Sequence, residues 1–496
     1  MSKKANQTSA ALITILASSK DDGRSLYDNV YRAIRKAILE RHLPPGSRLP
    51  STRVLAGDLN VSRNTVESAY AQLEAEGFTR PHVGSGTYVR DVVVQRSGSV
   101  QKTAVGRRPM NPQETLSQRG KLIWSTGGCP EPLQVRAFSA GMPALEDFPT
   151  EIWQRLCSRR LRSMKGPMLG YGNPQGADQL RSVIAQYLAT ARGVRCIPEQ
   201  ILILTSSQQG LDLCVRLLAD PREMVWLEDP GYLGARNAFL ASGATVVPVP
   251  VDDEGLQVSV GTKKAPKARL AYVTPSHQYP TGVTLSLNRR IALLDWAEAT
   301  KAWVIEDDYD SEFHYAGRPV AAIQGLAASD RVIYVGTFSK VMFPNLRIAY
   351  MVVPPALIDS FVTGRSLLDG HSPTFFQSVL ADFMEGGHFA VHLRRMRLLY
   401  RARRDFLLDI ARERLSNWLE FGALDGGLQV PAYCKIPIND ERFSKRASSV
   451  GLELPPISKL YLTEPAKPGW IVGFSALTPT QISSGMDRLS ELLDTL

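Results

Sequence analysis

The sequence predicts an α/β protein in two parts: a small helical head with a wing, then a large sheet-and-helix body ending in a smaller α+β lobe. Three observations carry this. From Phe138 onward, short β-branched runs alternate with helical stretches, the pattern of a sheet covered by helices on both faces. Residues 24–90 carry three helical patterns and a Gly-tipped hairpin of their own. Residues 91–135, between them, are rich in Ser, Gln, Gly, Pro and basic side chains and hold no periodicity, as a linker does. At 496 residues the chain exceeds what a single core supports.

In the head, Tyr27–Glu40 places Val30, Ala33, Ile34, Ala37 and Ile38 on one helical face, and Pro44-Pro45-Gly46 ends it. Ser51–Leu59 gives a second, shorter helix. Asn60-Val61-Ser62 is the turn, and Ser62 can N-cap a third helix running to about Glu76. Val66, Ala69, Tyr70 and Leu73 share its inner face, leaving Arg63, Asn64 and Glu67 outside. Phe78–Val89, with Gly84 and Gly86 at its tip, reads as a hairpin. Together these make a winged helix-turn-helix, with the third helix sized for the major groove and the wing for the backbone. Arg48, Arg53, Arg63 and Asn64 would supply phosphate or base contacts, and Thr65 a phosphate bond. A helical oligomerisation module is the other reading of the same pattern. Gly84-Ser85-Gly86 lacks the strand-to-helix setting of a nucleotide-phosphate loop.

In the body, the polar connection Gly336–Arg347 lies between two apolar strand-like runs, Arg331–Val335 and Ile348–Pro354, and carries Lys340. A buried ammonium is costly unless paired or chemically changed. An imine to an aldehyde cofactor would remove that cost; a surface-loop lysine is the alternative. Val304–Asp310 ends a strand on carboxylates. Pyridoxal phosphate (PLP) needs an anion at its pyridine nitrogen, which selects Asp307, with Tyr309 placed for the ring's phenolic oxygen. A metal site is the rival for such a cluster, but no His or Cys spacing supports one, and the His388/His392 pair lacks a third ligand. Thr205–Gly210, after the strand Ile201–Leu204 and before a helical run, offers hydroxyls and free N–H groups suited to an anion.

These residues resemble the fold-type-I, aspartate aminotransferase-like PLP proteins over most of residues 135–496, and Asp307 and Lys340 stand 33 residues apart, a separation typical of that family. The resemblance implies the aminotransferase fold type I for the large domain and a Schiff base at Lys340. It implies that Ser206, Ser207, Gln208, Thr337, Ser339 and Arg347 hold the cofactor phosphate, and that Tyr232, in Glu228–Tyr232, stacks on the pyridine ring. Tyr171, in Leu169–Gly176, would reach the neighbouring subunit's phosphate. Two departures stand out. The family's Asn-Pro-Thr-Gly turn reads His277-Gln-Tyr-Pro-Thr-Gly282 here, so His277 or Gln278 would meet the ring oxygen. The strand Trp470–Phe474 holds Ile471 where many aminotransferases place the substrate-carboxylate Arg, and no Arg occurs from Trp470 to Thr480. A guanidinium clamp is hard to replace. Arg236 is the remaining candidate for an effector carboxylate, with a helix-surface salt bridge as its other reading.

The head resembles the GntR regulators in Leu49–Arg53, Val61–Val66, Leu73–Gly77 and Gly84–Tyr88. Its fusion to an aminotransferase-like body resembles the MocR subfamily, as do Phe138–Pro143, Glu306–Phe313 and Gly387–Arg397. That implies a head-to-tail, domain-swapped homodimer binding operator double-stranded DNA, with an internal aldimine at Lys340 sensing PLP itself or an amine or amino-acid effector, and vitamin B6 metabolism as a candidate target. The rival is a working aminotransferase with an accessory DNA-binding head.

The net charge of +10 permits nucleic acid without proving it. Five scattered cysteines with no Cys-x-x-Cys point to free thiols in a reducing compartment. Residues 1–23 are an N-terminal extension; Ala10–Ala17 faintly mimics a signal peptide but has no convincing cleavage site, and reads instead as an element packed on the body. No stretch is long enough to cross a membrane; a cytoplasmic, nucleoid-associated location is the expectation that goes with free thiols and an operator-binding head. If flexible, a linker of roughly 45 residues spans about 35–40 Å, enough to carry the head to a partner subunit.

Overall fold

The computed structural model describes residues 25–82, 84–91, 115–129, 134–315, 320–423, 425–465 and 467–496; the N-terminal extension lies outside them. The chain falls into two compact units, residues 1–110 and 111–496.

The first unit contains α1 (Leu26–Leu39), α2 (Thr52–Leu59), α3 (Arg63–Ala75), β1 (Thr79–His82) and β2 (Gly86–Val89). Each helix starts on a serine whose hydroxyl accepts an otherwise unpaired N–H: Ser25 from Asp28, Ser51 from Val54 and Ser62 from Thr65. Asn60 enters the left-handed region at φ 54°, where a short polar side chain is tolerated, and turns the chain from α2 into α3. The apolar faces of α1 and α3 meet through Val30, Ile34, Val66 and Leu73. Gly46 N donates to Val89 O, Val89 N to Ser47 O and Leu49 N to Thr87 O, which lays the segment before α2 along β2 and ties the wing to the helices.

In the second unit, α4 (Gln118–Ser125), capped by Ser117, falls inside the span expected to be an unstructured linker. Eight residues are too short to declare a period against polar composition, and so short a helix depends on tertiary packing. Its packing partner is a helix of the body, described below.

The main sheet has the order β3 (Ile201–Leu204), β10 (Ala349–Val352), β9 (Val332–Thr337), β8 (Trp303–Asp308), β7 (Leu270–Val273), β4 (Met224–Asp229), β5 (Thr245–Asp252), β6 (Gly255–Leu256). Strands β5, β4, β7, β8 and β9 are parallel, and all of these but β5 are almost fully buried, which is why they read as continuous apolar runs. Antiparallel β10 pairs Ala349 with both Thr337 of β9 and Leu204 of β3. The parallel register of β8 on β9 pairs Asp307 with Val335. These registers bring the ends of β3, β8 and β9 and the start of β10 to one edge of the sheet. Helices α5 (Ser207–Leu218) and α6 (Leu233–Ser242) pack on the sheet, and the long α7 (His388–Arg414) leads to the smaller lobe, whose strands are β11 (Leu419–Phe421), β12 (Gln429–Cys434) and β13 (Gly469–Gly473).

Candidate functional site

Lys340 lies on the connection from β9 to β10, part-buried and anchored by the buried Phe338, Val341 and Met342 on either side. Its Nζ donates to Gly141 O at 3.0 Å. His392 supports this connection from behind, with Nε2 donating to Val341 O at 3.0 Å; burial lowers its pKa. His392 is thus engaged with the backbone of this connection, and among the described residues no cluster of His, Cys, Asp and Glu could hold a metal.

Asp307, at the end of β8, is buried, and its Oδ2 accepts a 2.8 Å bond from Tyr272 of β7. Its Oδ1 is buried without a protein partner. Burial raises the carboxyl pKa to about 7, with Asp308 and Asp310 adding to the shift and Lys340 and the Tyr272 bond opposing it. An orphaned acceptor of this kind costs free energy unless a donor meets it.

Tyr309 is directed by a short relay: its hydroxyl lies 3.1 Å from His277 Nδ1, which sits 3.2 Å from both carboxylate oxygens of Asp310. Burial alone would lower the His277 pKa, but the Asp310 charge and hydrogen bond outweigh it and leave it raised. His277 therefore sits behind Tyr309 and bonds to its hydroxyl. Gln278 is committed elsewhere. Its Nε2 donates to Pro230 O and Tyr279 O at 2.9 and 2.7 Å, and its Oε1 accepts from Thr281 N and Oγ1. The carboxamide holds its own turn together and has no capacity left for a ring oxygen. The same turn presents Tyr279, whose ring lies edge-on to Tyr232 at 5.8 Å and to Tyr309 at 6.2 Å. Nothing local in the sequence marks Tyr279, because only the fold brings it beside Tyr232 and Tyr309.

The segment expected to form an anion cup follows the end of β3. Ser206 caps α5, Ser207 opens it, and Gln208 sits in its first turn with Nε2 bonded to Gly234 O at 2.9 Å and Oε1 buried without a partner. Across the sheet edge, Ser339 N donates to Thr337 Oγ1 at 3.1 Å. Arg347 follows at φ 52°, two residues before β10, with an exposed side chain. Tyr171 is 97% exposed, the most exposed of the large hydrophobic side chains described, with its ring edge on His371. Gln429 of β12, which the sequence does not single out, brings a buried, unpartnered Oε1 beside Gly141, against which Lys340 Nζ also packs.

Two positions bear on carboxylate binding. Ile471 is fully buried in an apolar cluster with Ile457 and Leu460, packed by Tyr279, Tyr433 and Tyr461. Arg236, the candidate for an effector carboxylate, makes neither a carboxylate contact nor a helix-surface salt bridge among the described residues. Its guanidinium donates to Tyr461 O and Lys459 O at 3.2 and 3.1 Å, and burial lowers its pKa. It is spent on docking a loop of the smaller lobe.

In the head, Arg53, Asn64 and Arg63 are exposed, and Arg63 Nε donates to Glu67 at 2.7 Å within its own helix. Thr65 Oγ1 lies 2.8 Å from the capping Ser62 hydroxyl. The Arg48 guanidinium packs on the wing: a Cβ at Gly86 would lie 2.8 Å from its Nε. Gly84 and Gly86 both have positive φ, which the tip of the wing requires.

Residues 138–425 match the aminotransferase class I and II family model, and residues 26–89 match that of the bacterial regulatory proteins of the gntR family. The chain is 38% identical to the probable rhizopine catabolism regulatory protein MocR of Rhizobium meliloti, covering 96% of this chain and 95% of that protein. It is 31% identical to the pyridoxine biosynthesis transcriptional regulator PdxR of Corynebacterium glutamicum, covering 93% and 94%. Among solved structures, the α-aminoadipate aminotransferase LysN of Thermus thermophilus superposes with a TM-score of 0.70 at 27% identity, over 78% of this chain and 99% of that one. A GntR helix-turn-helix joined to an aminotransferase-like body of a PLP-dependent class defines a transcriptional regulator. The chain belongs to the MocR-type GntR regulators.

Proposed function

We propose that PLP is held covalently at Lys340 and that its presence controls operator binding by the head. The observation that carries this is the buried Asp307 Oδ1, an acceptor without a partner on the same sheet edge as Lys340. A protonated pyridine nitrogen supplies the missing donor and keeps the carboxylate ionised. In this reading Tyr232 stacks on the ring. Tyr309, steadied by His277, meets the phenolic oxygen. Ser206, Ser207, Gln208, Thr337, Ser339 and Arg347 take the phosphate, and Tyr171 reaches that of a partner subunit. When bound, the cofactor supplies a reversible carbonyl–amine linkage.

The head, residues 24–90, uses Arg48, Arg53, Arg63, Asn64 and Thr65 on operator DNA, with Gly84 and Gly86 shaping the wing against the backbone. A head-to-tail homodimer would present two heads to half-sites spaced by whole helical turns. The signal is PLP itself, with vitamin B6 supply as the controlled process, or an amine that displaces Lys340. The buried Ile471 and the committed Arg236 favour PLP itself over amino acids, and they disfavour the working-aminotransferase reading. Location in the cytoplasm, on the nucleoid, goes with this function; no helix among the described residues is long and apolar enough to cross a membrane.

The test is operator binding by the full-length protein with and without PLP. Affinity should shift in the wild type and not in Lys340→Ala, which should keep its basal DNA binding. Equal affinity in all four cases would refute the sensing role.

A further inference from the structure

Helix α6 bonds to three parts of the body within two turns. Its first turn adjoins the cofactor-site residues. Tyr232 occupies the N-cap, Gln208 Nε2 donates to Gly234 O at 2.9 Å, and a Cβ at residue 234 would lie 2.4 Å from the Tyr232 ring and 2.5 Å from Gln208 Oε1. Both site side chains therefore press on the same glycine. One turn on, Arg236 holds the carbonyls of Lys459 and Tyr461, and Asp229, just ahead of the helix, accepts from Leu462 N at 2.7 Å. The next residue, Asn237, points the other way. Its Nδ2 donates to Thr126 O at 3.2 Å and to Gly128 O at 2.7 Å, the carbonyls that follow the last turn of α4.

Carbonyls at a helix C-terminus have no intrahelical donors, so one carboxamide supplies bonds otherwise left to water. At 1.5 Å rise per residue, the Tyr232 and Asn237 backbones are about 7.5 Å apart along the axis. Over that distance a hydrogen-bonded helix moves as one piece, so a displacement of the first turn reaches the linker carbonyls.

We propose that the outer face of α6 around Asn237 is the docking surface for the chain's own segment Ser117–Gly128, and that α6 relays the state of the Lys340 site to that segment. This rests on PLP occupying the Lys340 site. PLP shifts linker docking only by as much as it favours one position of α6 over another, and linker docking in turn changes PLP affinity by the same factor.

The experiment is amide hydrogen exchange on the full-length protein, with and without PLP, alongside its absorbance spectrum. Amides of residues 118–126 should change protection on PLP addition in the wild type. In Asn237→Ala they should exchange about tenfold faster and ignore PLP, as expected for losing two modest hydrogen bonds. Asn237→Asp keeps the shape but removes the donor, so it should behave like the alanine variant. All three proteins should form the absorbance band above about 400 nm. Unchanged linker protection on PLP addition to wild type that shows the band, or wild-type behaviour in both variants, overturns the relay alone. Absence of the band from the wild type overturns the cofactor reading beneath it.

Discussion

Tyr272 donates a 2.8 Å hydrogen bond to Asp307 Oδ2 and so fixes which way the other oxygen, Oδ1, faces. That oxygen is buried with nothing in the protein to meet it. Asp307→Asn should weaken PLP binding by about 1.5–3 kcal/mol, the range for a hydrogen bond to a charged group. Tyr272→Phe should cost about 1 kcal/mol. PLP titrations followed by absorbance measure both; equal affinity for Asp307→Asn would exclude it as the pyridine partner.

The same carboxyl sets a pH dependence. Burial, chiefly, raises its pKa to about 7 in the PLP-free protein, against about 4 for an unfolded chain. Between those values the folded state keeps a proton that the unfolded state releases, so this group's contribution to stability falls as pH rises from about 4 to about 7. Asp307→Asn should flatten that part of the profile. Urea midpoints of PLP-free protein across the range test it, and a profile unchanged by the substitution would contradict it.

Ile471 is buried in an apolar cluster and supplies no cation of its own for a substrate carboxylate, so amino acids should give no sustained keto-acid turnover with the PLP-loaded protein. Multiple turnovers per subunit would restore the enzyme reading. Arg236→Ala should lower stability by about 1–3 kcal/mol, because it leaves two lobe carbonyls short of a donor, while leaving any amino-acid affinity unchanged. Chemical denaturation and ligand titration separate these two effects.

Arg63 is exposed at the start of α3, with Glu67 bonded to it one turn later. Arg63→Ala should weaken operator binding by about 1–3 kcal/mol if it contacts a base in bidentate fashion. If it contacts a phosphate instead, the slope of log affinity against log salt should drop by about one. Unchanged affinity and slope would exclude α3 as the recognition helix.

Gln429 Oε1 is a buried acceptor without a partner. Replacing the carboxamide by an apolar group of similar size removes that unmet need. Gln429→Leu should therefore be neutral or slightly stabilising without ligand, and its cost should appear only when a ligand with a donor is bound. Thermal unfolding with and without PLP distinguishes the two states. A large loss of stability without PLP would mean that the carboxamide is structural.

Much of this was legible because local signals were strong. Ser62, Asn60 and the 66–69–70–73 apolar face fix α3 from neighbours a few positions away. The apolar strands locate the sheet, and the acidic end of β8 marks the site edge. What the sequence could not supply came from long-range register. Arg236 and Asn237 look like ordinary surface positions on a helix, and only the fold brings the 459–461 carbonyls to one and the end of α4 to the other. Gln278 reads as a free polar side chain until its turn closes on it. The linker helix escaped notice because eight polar-rich residues carry too little periodicity to separate a docked helix from a loop.

The most direct measurement is borohydride reduction of the PLP-treated protein followed by peptide mass mapping. The cofactor's mass should appear on the peptide containing Lys340 and vanish in Lys340→Ala. A label on another lysine, or none, would contradict the account.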